Sequence, residues 1–268
     1  MNYRYDIFKV GALFVLLGFC SCNKTEKLLK NPDFAFKYKE ANRFYEKQKF
    51  DKAALLYENV HPFYRNSNKD DTITVQLARC YYQQRNYEMA EYHFGYIQQR
   101  FPRSPFVEEA DYRIAQCSYH RVQRAQLDQS NTMQAIQRLE YYLSRYPNSE
   151  YSFECEEQRE KLETQIAYKA YLNAKLYYQM EQYKAAVVSL KNGLKQYPNS
   201  PYREELLFLI FKSSYLHAKN SVHSKQQDRY QSSVDEYLNL ISEYPASQYK
   251  KEAEQIYANV VSQLARFN

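Results

Sequence analysis

The chain has 268 residues, with 37 basic and 31 acidic side chains, a net charge of +6 and 44% hydrophobic residues. This composition indicates a folded protein, and the charges are interspersed without a basic block that would indicate nucleic-acid binding. Only four glycines occur, which excludes the glycine-rich loops of nucleotide-binding proteins and favours long helices, while 30 tyrosines supply large apolar rings with a polar end.

Residues 1–21 are predicted to be a bacterial lipoprotein signal peptide. Arg4 and Lys9 precede an apolar run, residues 10–19, that is too short to cross a bilayer. The small residue Ser21 stands directly before Cys22, so we expect cleavage between them and acylation of Cys22, palmitate included. An ordinary secretory signal or an uncleaved anchor is the alternative. Residues 22–34 are interpreted as a polar tether, and residues 35–268 as one repeat domain.

An aromatic-Pro-x-Ser-x-aromatic motif, called here the corner motif, occurs four times in the chain, at 101–106, 146–151, 197–202 and 244–249. Proline disfavours helical geometry in the residue before it, and serine is a preferred helix cap. Each corner motif is therefore predicted to end one helix and to begin the next.

A helical pattern precedes each corner motif. Ala90, Phe94 and Ile97 lie 12, 8 and 5 residues before Pro102, and the same offsets recur before the other three prolines. Such spacing places side chains on one helix face and resembles the 34-residue tetratricopeptide repeat. We predict an all-α, tetratricopeptide-like helical-hairpin solenoid of about five repeats with a closing helix over 250–267. Residues 122–132 and 218–229 are insertions, and 152–178 should form one long helix.

The first helices of the five repeats align on a small residue, with a tyrosine four positions later in every repeat. The aligned positions are Ala41, Ala78, Ala115, Ala174 and Phe211, and the tyrosines, called here the tyrosine ladder, are Tyr45, Tyr82, Tyr119, Tyr178 and Tyr215. Tyr38 and Tyr112 stand three residues before the aligned position, and Arg79, Lys175 and Lys212 stand one residue after it. These rings either pack one repeat on the next or line a groove that grips an extended aromatic-rich peptide, with the cations meeting a carboxylate. The two interpretations can coexist.

No motif predicts catalysis, a metal site or a cofactor. The five histidines are scattered without HExxH spacing, and GxSxG and CxxC are absent from the sequence. Cys80 and Cys117 occupy one repeat position in adjacent repeats, where packed helices stand too far apart for a disulfide, so free buried thiols are expected. We therefore predict a protein that is not an enzyme.

The combination of these features resembles the BamD family of outer-membrane assembly lipoproteins. The resemblance is carried by Cys22, by the corners RYPNSEY and QYPNSPY, and by AKLYYQMEQYKAAVVSLKNGLKQYP, and it covers about residues 22–260. It implies a lipid-anchored protein on the periplasmic face of the outer membrane. Its implied partners are a BamA-type barrel-forming assembly factor and the C-terminal signals of unfolded outer-membrane β-barrel proteins. The alternative is another periplasmic repeat lipoprotein, which scaffolds cell-wall or glycan-uptake complexes.

Overall fold

The computed structural model describes residues 25–267, and these residues form helices joined by turns, without a strand. The predicted signal peptide and Cys22 lie outside this range. After a helical stretch at 25–29, eleven helices follow: α1 Phe34–Glu46, α2 Phe50–Tyr64, α3 Asp70–Gln83, α4 Tyr87–Arg100, α5 Val107–His120, α6 Ser130–Arg145, α7 Ser152–Gln179, α8 Tyr183–Gln196, α9 Arg203–Lys219, α10 His223–Glu243 and α11 Lys250–Leu264. The all-α prediction is confirmed.

The helices follow one another as five pairs, α1/α2 to α9/α10, and α11 is the predicted closing helix. All five aligned residues of the first helices are fully buried. The predicted core face of the second helices is also buried except at the half-buried Tyr237, and Ala90, Phe94 and Ile97 are each 0% exposed. The sequence pattern therefore identified the faces on which the paired helices pack. The 28-residue α7 confirms the long helix predicted there.

The serine of a corner motif does not directly cap the helix that follows it. The hydroxyl of Ser247 accepts a hydrogen bond from the backbone N–H of Tyr249 at 3.0 Å, and the carbonyl of Ser247 accepts one from the N–H of Lys250. The serine thus closes a turn, and regular helix begins three residues after it. The same hydroxyl donates to Glu204 Oε1 at 2.7 Å, a link to the preceding first helix that the pattern did not predict.

The two insertions have different structures. Residues 121–129 form an irregular connection, and Asp128 ends it by accepting a hydrogen bond from the N–H of Ser130, the first residue of α6. The second insertion instead lengthens its helices, because α9 continues to Lys219 and α10 starts at His223.

The chain divides into two units. The first comprises residues 25–122 and 133–156 of the described chain, and the second comprises 123–132 and 157–267. In the first unit, Leu28 and Leu29 pack against the core of the first helix pair, so the described part of the predicted tether is attached to that pair. Between residues 25 and 267, no helix combines the length and the apolar character that crossing a membrane requires.

Candidate functional site

All five rings of the tyrosine ladder are half-buried. In three pairs, the ladder ring contacts the aromatic residue that starts the second helix of the same pair: Tyr45 with Phe50 at 5.5 Å between centroids, Tyr82 with Tyr87 at 5.6 Å, and Tyr178 with Tyr183 at 6.1 Å. Tyr119 lies beside His120, and Tyr215 beside Tyr230. Each ring therefore has an aromatic or imidazole neighbour in its own pair, while part of its surface stays accessible.

The aromatic residues three positions before the aligned residue have a packing role. Tyr112 is only 6% exposed and stacks on Tyr151, the last residue of the next corner motif, with centroids 4.1 Å apart. Its hydroxyl donates to Glu154 Oε2 at 2.9 Å. Tyr38 lies against Tyr57 and Tyr64, with centroids 6.3 and 5.8 Å away. The closing aromatic residue of the corner motif thus holds one pair on the next.

The three predicted cations each already bind a carboxylate of the chain. Their partners are the third residues of α5, α9 and α11. Arg79 forms two hydrogen bonds to Glu109, with Nε 2.7 Å from Oε1, Lys175 lies 2.8 Å from Glu205, and Lys212 lies 2.6 Å from Glu252. The hydrogen bond that Lys175 donates to Glu205 raises the pKa of Lys175 above its ordinary value. A ligand carboxylate would have to compete with these internal partners.

A cavity of about 320 Å³ lies in the first unit, on α1, α3 and α5. It brings together four of the predicted site residues with four that the sequence did not nominate, and its lining consists of Tyr45, Arg79, Tyr82, Tyr112, Gln83, Glu109, Arg113 and Tyr151. Burial raises the pKa of Tyr45 and of Tyr82 above the ordinary phenol value, so both hydroxyls stay protonated at neutral pH. The cavity combines aromatic walls with hydrogen-bond donors.

Arg113 is the cation in this cavity that forms no ion pair with a carboxylate of residues 25–267. Its guanidinium carbon stands 4.7 Å from the ring centroid of Tyr82 and 5.3 Å from that of Tyr112. The i, i+4 rule pairs Arg113 with Glu109, but Glu109 is bound by Arg79 of the preceding pair. Arg113 could not be identified from the sequence, because the Arg79–Glu109 contact that leaves Arg113 without a carboxylate partner is made between repeats.

The other predicted residues lie elsewhere. Tyr38 and Tyr119 belong to the first unit but do not line this cavity. Lys175, Tyr178, Lys212 and Tyr215 belong to the second unit, where Lys212 Nζ stands 5.7 Å from the ring centroid of Tyr178. The ladder therefore contributes to this cavity through Tyr45 and Tyr82 only.

The cysteines are buried free thiols, which confirms the expectation for Cys80 and Cys117. Burial raises the pKa of the thiols of Cys80, Cys117 and Cys155 to about 12, so they are unreactive in the fold. In the part of the chain that the structure describes, no cluster of three histidine, cysteine or acidic residues could hold a metal ion.

Comparisons with solved structures found proteins of low sequence identity. The chain is 17% identical to the TPR2AB domain of yeast Sti1 in its pHSP90 complex, covering 85% of this chain and 98% of that one, with a TM-score of 0.37. It is 14% identical to TTC0263, a thermophilic TPR protein of Thermus thermophilus, covering 85% and 99%, with a TM-score of 0.33. The apo form of RapI gives 14% identity, coverage of 87% and 83%, and a TM-score of 0.32.

No curated protein matches the chain. The sequence profile described as "YfiO: Outer membrane lipoprotein" matches residues 33–217 and 177–268, which together include all of the predicted repeat domain. YfiO is the same family as BamD, so the resemblance drawn from the sequence is confirmed. The chain belongs to the YfiO family of outer membrane lipoproteins.

Proposed function

We propose that this protein is a non-enzymatic adaptor, lipid-anchored through Cys22 on the periplasmic face of the outer membrane, that serves the assembly of β-barrel proteins there. Membership of the YfiO family is the observation that carries the proposal. The protein binds a BamA-type barrel-forming assembly factor and the C-terminal signals of unfolded barrel proteins. Stacked helix pairs suit this role because they offer extended binding surfaces without catalytic machinery.

The first-unit cavity is the proposed place where a C-terminal signal binds. Such a signal ends in an aromatic ring and a free carboxylate. The rings of Tyr45 and Tyr82 offer faces and edges for aromatic contact. Arg113 offers a planar guanidinium that a carboxylate can bind through two hydrogen bonds.

The carboxylate partner in this proposal is Arg113 instead of the Arg79 selected from the sequence. Arg79 is engaged by Glu109 through two hydrogen bonds. Arg113 is bound by no carboxylate of the described chain: it lies over the rings of Tyr82 and Tyr112 and forms a hydrogen bond with the side chain of Tyr82. The ring contacts can persist in a complex, since a guanidinium can stack on a ring and donate in its own plane.

The test is peptide binding measured by fluorescence anisotropy. A labelled peptide that ends in phenylalanine with a free carboxylate should bind, and Arg113→Gln should weaken it by about 10- to 100-fold, the value of one hydrogen bond to a charged group. Arg103→Gln is the matched control, because Arg103 is exposed in the same unit. Amidation of the peptide should weaken binding to the parent chain and leave little further effect of Arg113→Gln.

Two ring substitutions separate the cavity from the ladder as a whole. Tyr82→Ala should weaken the peptide because Tyr82 lines the cavity, whereas Tyr119→Ala should not, because Tyr119 does not line it. Circular dichroism verifies that each variant keeps its helices. Unchanged binding by folded Arg113→Gln and Tyr82→Ala chains would refute the cavity as the peptide site.

A further inference from the structure

The net positive charge of the chain lies in residues 22–69, which comprise the predicted tether, the first helix pair and the turn after it. Residues 22–69 contain 11 basic and 6 acidic side chains, whereas residues 70–268 contain 24 of each. The net charge of +5 downstream of the predicted cleavage site therefore comes from this segment alone. Nine of its 11 basic residues are lysines.

Several of these cations lie on one exposed helix face. Lys39, Arg43 and Lys47 follow one another at four-residue intervals along α1 and its C-terminal cap, and all are exposed. Phe36, 40% exposed, lies on the same face at the start of the stripe. Lys49, also exposed, follows directly before α2. We call these five residues the basic face.

The basic face carries more positive charge than its local acids neutralise. Arg43 is paired with Glu40 at 2.6 Å. Lys39, Lys47 and Lys49 are not in an ion pair with any carboxylate of the described chain. An exposed phenyl ring among such lysines is the side-chain combination of segments that lie on a membrane surface.

The position of the first pair relative to Cys22 is restricted by a short connection. Thr25 is 7% exposed, and Leu28 and Leu29 pack against the core of the first pair. Thr25 comes three positions after Cys22 in the sequence, a step of at most about 11 Å. That length is close to the Debye length of about 8–10 Å at physiological ionic strength. An acyl anchor on Cys22 would therefore hold Thr25, where the described chain begins, within about one Debye length of the membrane surface.

We propose that the basic face docks on the anionic lipid headgroups of the membrane that holds the protein's lipid. The lysines bind headgroup phosphates, and Phe36 enters the interface. This inference rests on the proposed acylation of Cys22 for its setting, but the chemistry of the face does not depend on the acyl chains. Docking would fix the orientation of the first pair at the membrane.

The experiment is vesicle co-sedimentation of the chain from residue 23 onward, which keeps every residue that the structure describes. Vesicles of phosphatidylcholine alone are compared with an equimolar mixture of phosphatidylcholine and phosphatidylglycerol, at low and at high ionic strength. Binding should require phosphatidylglycerol and should be lost at high salt. The test variant is the triple substitution K39Q/K47Q/K49Q. The matched control, K219Q/K225Q/K251Q, removes the same charge from exposed lysines of the second unit.

The test variant should lose binding on the order of 100-fold, because each lysine near an anionic surface contributes about fivefold. The control should retain the parent's binding. Equal losses in both variants would show that only total charge matters, and the absence of binding to phosphatidylglycerol vesicles would also overturn the proposal. Failure of the proposed anchor is distinguishable, because acylation is read from the intact mass of the exported protein and does not enter the vesicle measurement.

Discussion

Replacement of Glu109 by glutamine should have opposite effects on stability and on ligand binding. Glu109 binds Arg79 across two helix pairs and lines the same cavity as Arg113. Glu109→Gln keeps the shape of the side chain but removes its charge. The protein loses an ion pair that joins two repeats, and the cavity gains a free guanidinium while losing a carboxylate that repels an anionic ligand.

Both effects have estimable sizes. The two side chains of this pair are each 27% exposed, so the pair is partly screened by solvent. Exposed ion pairs contribute roughly 0–1 kcal/mol, and two-bonded arginine pairs lie at the upper end, so the free energy of unfolding should fall by about 1 kcal/mol. Two unit charges 4 Å apart interact by about 4 kcal/mol at an effective dielectric constant of 20. Glu109 and a ligand carboxylate would be farther apart than this and partly exposed to water, so their repulsion should be on the order of 1 kcal/mol. That energy corresponds to about fivefold in affinity.

The assay combines urea denaturation with anisotropy of the same aromatic-carboxylate peptide. Glu109→Gln should unfold at lower urea yet bind the peptide about fivefold more tightly, and the amidated peptide should not show the gain. Glu252→Gln is the control, since it releases Lys212 in the second unit, outside this cavity. A folded Glu109→Gln chain that binds the peptide more weakly than the parent would refute the electrostatic reasoning.

Four further outcomes follow from the structure. Phe94→Ala removes a side chain that is 0% exposed and should lower the free energy of unfolding by about 3–5 kcal/mol. Tyr92→Ala removes one that is 66% exposed and should change it by less than about 0.5 kcal/mol. Equal effects in urea denaturation would contradict the assigned core face of α4. Ser247→Ala should cost about 1–2 kcal/mol in the same measurement, because Glu204 loses a hydrogen-bond donor; an unchanged unfolding midpoint would contradict this link. Burial lowers the pKa of His93 to about 4 from an ordinary 6.5, so between these pH values the unfolded chain takes up a proton that the folded chain does not. The free energy of unfolding should therefore fall as the pH falls. His93→Gln should remove this part of the pH dependence, and an unchanged pH dependence would contradict the assignment. The three buried thiols should react with a thiol reagent only after unfolding, and rapid reaction in the native protein would contradict their burial.

The repeat architecture could be predicted from sequence because its signals are local. Offsets of three and four residues define a helix face, and proline and serine mark where a helix ends and the next begins. Ala90, Phe94 and Ile97 are fully buried as their spacing predicted. The second insertion was predicted only as added residues, and the structure shows that the helices on both sides extend into it.

The candidate site could be predicted only in part because its decisive contacts connect different repeats. The alignment identified Arg79 as a cation at the right position but not that Glu109 of the next pair binds it. It also could not show that this contact leaves Arg113 over the rings of Tyr82 and Tyr112. Sequence spacing defines what shares a helix face, whereas the choice between two possible partners for Glu109 depends on packing between helices.

The central claim, an adaptor in barrel assembly, is tested most directly by purifying the protein from detergent-solubilised membranes and identifying what accompanies it. A large β-barrel protein of the BamA type should co-purify in a fixed ratio. Co-purification of cell-wall enzymes or a glycan-uptake transporter without a barrel-forming assembly factor would contradict it.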